Sequence, residues 1–216
     1  MFVSLFSLEA MSSHHEKNDL IKRNEVDQNT FLLEYTGSLT GYMDISMGVQ
    51  IAMDVSRGFR YDVTTERGGS VMSHIAIFYK FSNPNQLTRY NYLTHQKQII
   101  TAGNAAKGED LNVIGKENID TFICTHLQKM GAHEQQDYWM SRSVPGYTQL
   151  VNILMGIDPN IEMMAINKTL FNWGGLVRAT TVLTTTKGQT ITSNLNLIEA
   201  KTGLVFTDKD FEVPSK

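Results

Sequence analysis

The chain has 216 residues, 41% of them apolar and 19% charged, with 19 basic against 22 acidic side chains and a net charge of −3. That length can bury a sizeable core without metal or disulfide staples. The slight acidity, with no block of Lys and Arg, argues against a broad nucleic-acid or anionic-membrane surface. Cys124 is the single cysteine, so no internal disulfide is possible and the fold does not need an oxidising compartment. No apolar run reaches the roughly 18 to 20 residues of a membrane-spanning helix. Residues 1–10 are apolar but lack a basic flank and are short for a signal peptide. A cytoplasmic protein is expected.

Residues 11–28 are polar and include His14 and His15. Residues 1–28 read as an N-terminal arm, and 29–216 as one domain. Residues 31–39 can form a strand. From Met43 to Val55, Met43, Ile45, Met47, Val49, Ile51, Met53 and Val55 alternate with small or polar residues. A period of two over that length is a long strand with one apolar face. Asp44 and Asp54 fall on its polar face, about 33 Å apart along an ideal strand, too far to act as a catalytic pair. They read as residues that keep an exposed face soluble. Strands follow near 58–65 and 70–82, joined by a turn at Glu66-Arg67-Gly68-Gly69. The second of these is apolar on both faces and so should be central. His74 shares one face with Met72, Ala76 and Phe78.

Residues 86–100 fit a helix or a strand. Ile119, Phe122, Ile123, His126, Leu127 and Met130 recur at helical spacing, which predicts a helix over 116–130 stopped by Gly131. Further helices are expected near 133–142 and 147–155, and strands near 161–172, 177–186, 189–199 and 203–212. The expected fold is α+β: a strongly curved or barrel-like antiparallel sheet with a helical insert near 85–157. The segment from Val113 to Phe122, with hairpins downstream, resembles the cone-shaped folds of the nuclear-transport-factor-2 type over less than half the chain. It departs from them at 31–82 and after 131.

No phosphate loop, nucleophile elbow or Cys-x-x-Cys pair is present. His126 on the apolar stripe and His74 on its strand are the two catalytic candidates, either packed core histidines or acid/base groups facing a cavity. If the sheet packs under the insert, His74 could meet His126. His133-Glu134-Gln135-Gln136-Asp137 could place His133 and Asp137 on one helix face, but the second histidine of a zinc-protease pattern is missing. No metal and no cofactor are expected. Cys124 reads as a bystander. Met43, Met47 and Met53 share the apolar face of the long strand, where they read first as core packing and otherwise as a surface tolerant of varied apolar ligands. The threonines at 180, 181, 184, 185, 186, 190 and 192 mark an exposed hairpin.

Two functions compete on this reading. The first is a domain that binds a small apolar or amphipathic ligand, or a cofactor-free acid/base enzyme of the isomerase, dehydratase or cyclase type. The second is a non-catalytic assembly or interaction subunit, possible as a homo-oligomer, that uses exposed β-hairpins.

Overall fold

A computed structural model describes residues 29–41, 43–83, 86–100, 111–150, 170 and 172–215. The polar arm expected over 1–28, and almost all of the strand expected over 161–172, lie outside them.

Eleven strands build one antiparallel sheet. They are β1 (Thr30–Thr40), β2 (Ile45–Asp54), β3 (Gly58–Arg67), β4 (Ser70–Lys80), β5 (Leu87–Asn91), β6 (Gln96–Ile100), β7 (Asn112–Ile119), β8 (Phe122–Met130), β9 (Glu134–Ser141), β10 (Gly175–Thr184) and β11 (Thr190–Thr202). Their spatial order is β6-β5-β4-β3-β2-β1-β11-β10-β9-β8-β7. The chain thus makes one meander outward from β1 to β6. It starts again at the far edge with β7 and returns to lay β11 beside β1. The sheet is open, with β6 and β7 as its edges.

This corrects the expected α+β architecture. No helical insert occupies 111–142. The predicted helix over 116–130 is the β7–β8 hairpin, and the predicted helix near 133–142 is β9. The cone-shaped resemblance fails with it. Asp120, at φ 50°, supplies the left-handed turn residue between Ile119 and Phe122. Aspartate tolerates that conformation better than most side chains, so a two-residue turn forms without glycine. Gly131 does stop an element, but its N–H closes the β8–β9 turn onto the Glu134 carbonyl at 2.6 Å. Residues 147–150 are helical as expected. The last expected strand, 203–212, is an extended segment followed by a 3-10 turn, Asp208–Phe211.

Alternation places one apolar face in the main core. Phe31, Leu33 and Tyr35 of β1, Val49, Ile51 and Met53 of β2, and Ile77 and Tyr79 of β4 are all buried there, with Phe59 fully so. Val144 and Leu150, with Tyr147, pack on the same core from the long β9–β10 connection. The approach is close enough to require glycine at 146, where φ is 73° and a Cβ would stand 2.3 Å from the Phe31 ring.

The reading of β4 as a central strand holds. Its second apolar face, Ala76 and Phe78, packs with Tyr90 and is met by Val213 of the C-terminal segment. That segment is pinned by buried Phe211, by Lys80 to Glu212 at 2.8 Å and by Arg57 to Asp208 at 3.0 Å. Asp54 differs from expectation. It is buried, accepts hydrogen bonds from Ser56 and Arg57, and ties the β2–β3 turn together. Burial pushes its carboxyl up, but those donors outweigh burial and hold it below the usual range.

The two faces of β2 should respond differently to charge. Ile51→Asp should cost several kcal/mol, because it buries a carboxylate without a partner. Gln50 donates to Glu34 at 2.7 Å from the other face, so Gln50→Lys keeps a partner there and should change stability by less than about 1 kcal/mol. Urea denaturation of both variants checks the assignment, and equal losses would refute it.

Candidate functional site

The two candidate histidines sit in similar surroundings at distant places. His74 of β4 lies beside Asp62 of β3, with Nε2 3.5 Å from Oδ1. Its ring stacks on Tyr92 at 4.1 Å between centroids. Arg60 stands over the Tyr92 ring at 5.9 Å and over Phe78 at 5.4 Å. Arg60 donates from Nη2 to Asp62 Oδ1 at 2.8 Å, and its Nε lies 2.6 Å from Oδ2 as an ion-pair contact without hydrogen-bond geometry. Asp62 is buried, so the guanidinium supplies the counter-charge that its carboxylate needs.

His126 of β8 repeats the pattern. Its ring stacks on Trp139 of β9 at 4.4 Å, and Arg178 of β10 stands over that indole at 5.8 Å. Its Nε2 meets Asp137 and its Nδ1 meets Glu117 of β7, both at 2.9 Å. The Trp139 indole N–H donates to the other Glu117 oxygen at 2.9 Å. Gln128 and Gln135 donate to Asp137 at 2.9 and 2.6 Å. Burial raises the Asp137 carboxyl, but donation from the two amides and from His126 prevails and holds it below the usual range.

The register explains the likeness. Direct cross-strand partners run from His74 to Thr64, Gly48, Thr36, Asn196, Arg178, Trp139 and His126. The two histidines are therefore seven strand spacings apart in the sheet order, about 34 Å along it. They do not meet. The helical stripe that would have placed His126 between Phe122 and Met130 does not exist.

The remaining candidates are separated too. Asp137 is taken up by His126, and Glu134 accepts from Gln136 at 2.6 Å. Among the described residues no group of three His, Cys, Asp or Glu side chains is placed to hold a metal. Cys124 is fully buried, and burial pushes its thiol up, away from the reactive thiolate. Met53 is in the core and Met47 packs on it, whereas Met43 accepts a weak contact from Arg67 at 3.6 Å. Sequence reasoning missed Asp62, Arg60, Glu117, Trp139 and Arg178. The visible signal was the clash of charge with burial periodicity on β3 and β9, which only the cross-strand partners resolve.

No family model matches the chain, and no curated protein matches it. Among solved structures, an outer membrane lipoprotein-sorting protein domain from Vibrio parahaemolyticus aligns at TM-score 0.36 and 9% identity, over 91% of this chain and 96% of that one. A LolA superfamily protein from Nitrosomonas europaea aligns at TM-score 0.35 and 12% identity, over 91% and 97%. MucB, solved in complex with MucA(peri), aligns at TM-score 0.41 and 11% identity, over 92% of this chain and 60% of that one.

The His126 cluster should act as an acid-labile staple. A carboxylate whose folded-state pKa is depressed contributes stability above its unfolded value and loses it as pH falls through the folded value. For Asp137 that window lies below about pH 4. Asp137→Asn should cost about 2 kcal/mol near neutrality, through lost charge-assisted hydrogen bonds, and should flatten the fall in stability below pH 4. His126→Leu should likewise destabilise, since it removes the imidazole that bridges the two carboxylates. Melting temperatures from pH 2.5 to 7 decide this. A stable His126→Leu protein would show the histidine is only packed.

Proposed function

We propose that the apolar face of this sheet holds a small apolar or amphipathic ligand non-covalently, and that the protein works as a binding domain. The observation that carries the reading is the extent of that face set against how it is covered. Met47, Tyr61, Val63, Phe81, Ile100, Leu195 and Leu197 all pack on the core yet stay only partly buried. Among the described residues, Val144, Tyr147 and Leu150 of the β9–β10 connection lie against the same core. A rigid apolar wall with a separate chain segment over it is the arrangement used by many small-molecule sites. Adaptable Met47 and the ring of Tyr61 suit varied ligands. Burial raises the Tyr35 and Tyr61 hydroxyls, which therefore stay protonated and neutral. The Tyr35 hydroxyl donates to the Leu176 carbonyl at 3.1 Å.

Binding without turnover fits the histidines better than acid/base chemistry does. Both ring nitrogens of His126 are held by carboxylates, and His74 is stacked on Tyr92 beside Asp62. A proton shuttle needs a nitrogen within reach of a substrate, and His126 offers neither of its own.

The test uses an uncharged fluorescent probe, N-phenyl-1-naphthylamine, together with native mass spectrometry of the purified protein. The probe should bind saturably and brighten. Met47→Gln, which keeps the side-chain shape but adds an amide, should weaken it roughly tenfold, about 1.4 kcal/mol. A probe that does not bind, or binds equally to Met47→Gln, would remove the support for this face as the site.

A further inference from the structure

A second recess lies apart from that face, at the β7–β9 end of the sheet. It is an open cavity of about 290 Å³ lined by Lys116, Ile123, Thr125, Met140, Arg142 and Trp173. We propose that it binds a small apolar monocarboxylate, with the hydrocarbon against Ile123, Met140 and Trp173 and the carboxylate between Lys116 and Arg142.

The strand register builds one wall. Lys116, Thr125, Met140 and Leu176 are successive cross-strand partners. They lead from an edge-strand cation to side chains in a small apolar cluster. In that cluster Leu127, Met140 and Leu170 are buried, with Trp173 and Leu176 packed against them. Ile123 precedes Thr125 by two residues on β8 and so shares its face. It is 68% exposed, more than any other isoleucine among the exposed apolar residues. The opposite wall comes from the two ends of the β9–β10 connection, Arg142 and Trp173. They are drawn together at Gly174, where φ is 129° and a Cβ would stand 2.3 Å from the Ser141 carbonyl carbon. Arg142 also reaches the Asn172 carbonyl at 3.5 Å. The close backbone approach at Gly174 thus fixes where the two ends of the connection stand relative to β9.

Its chemistry is selective. Among the described residues, two cations and no carboxylate line it, and neither Lys116 nor Arg142 forms an ion pair. An arginine fork and a lysine converge naturally on one carboxylate. The apolar wall disfavours a fully hydrated inorganic anion, and the small volume excludes a drug-sized or macromolecular occupant.

Benzoate, its neutral counterpart benzamide, and acetate serve as probes, titrated by calorimetry into the full chain. Benzoate should bind at least tenfold more tightly than either of the others. Lys116→Gln and Arg142→Gln should each weaken benzoate about tenfold and leave benzamide unchanged. Ile123→Ser should weaken benzoate and benzamide alike. All three side chains are exposed, so melting temperatures should hold and binding losses should not reflect unfolding. Binding of N-phenyl-1-naphthylamine to the apolar face should be unaffected by any of them. Equal affinity for benzoate and benzamide, benzoate binding that survives both charge substitutions, acetate binding as tightly as benzoate, or no benzoate binding up to about 10 mM would each overturn the assignment.

Discussion

The pairing of β1 with β11 is the contact on which the architecture depends. Every other strand pair joins neighbours in sequence, closed by a turn or short loop, except that β9 and β10 are linked by a longer connection. The β1–β11 ladder instead joins Phe31 to Thr202 and Thr40 to Thr192. It merges two meanders into one sheet and lets Tyr35 reach across to Leu176. Forming it means closing most of the chain into a loop before the ladder can stabilise anything. The ladder also carries a bulge after Glu34. Further irregularities interrupt the β9–β10 ladder between Leu176 and Arg178, β3–β4 between Thr65 and Glu66, and β7–β8 between Val113 and Gly115. Bulges increase local twist, and both halves as well as their junction carry them.

Each half then faces the same electrostatic problem and meets it in the same way. A buried aspartate sits on a middle strand, Asp62 in one half and Asp137 in the other. Leaving either carboxylate without partners would cost more than most single contacts return. In both places a histidine stacked on an aromatic ring approaches the carboxylate, and an arginine covers the ring. The counter-charge differs. Asp62 has the Arg60 guanidinium, whereas Asp137 has two glutamine amides and a histidine that it shares with Glu117. These clusters are better understood as polar cross-links within a sheet than as one divided active centre. The ligand contacts proposed for this protein lie elsewhere, on the apolar face and in the cleft beside Trp173.

Much of the sheet was readable residue by residue. The unbroken alternation from Met43 to Val55, the two apolar faces of β4, and the turn at Gly68-Gly69 all specify strands locally, because period-two burial and turn glycines are short-range signals. The hairpin from Asn112 to Met130 was not readable in the same way. Ile119, Phe122, Ile123, His126, Leu127 and Met130 match helical spacing, yet on β8 Ile123 and Leu127 fall on one strand face and Phe122, His126 and Met130 on the other. The deciding features were the left-handed Asp120 turn and β-branched Thr121, Ile123 and Thr125. They favour a hairpin, but without glycine the turn gave only a weak signal.

The sequence by itself determined an antiparallel, single-cysteine protein with a long amphipathic strand, a doubly covered fourth strand and no motif of a known catalytic class. Alternation, turn chemistry and composition act over a few residues and are therefore written locally. Tertiary structure alone decided that the middle of the chain is sheet, and that His126 is gripped by Glu117 and Asp137. It likewise decided that His74 stands seven strands from His126, and that Lys116, Arg142 and Trp173 line one cleft. Those outcomes depend on which strand becomes whose neighbour and on the register of each ladder, one of which, β1–β11, joins residues more than 150 positions apart. That choice is made by the summed burial and hydrogen bonding of the whole sheet, which no local window of residues contains.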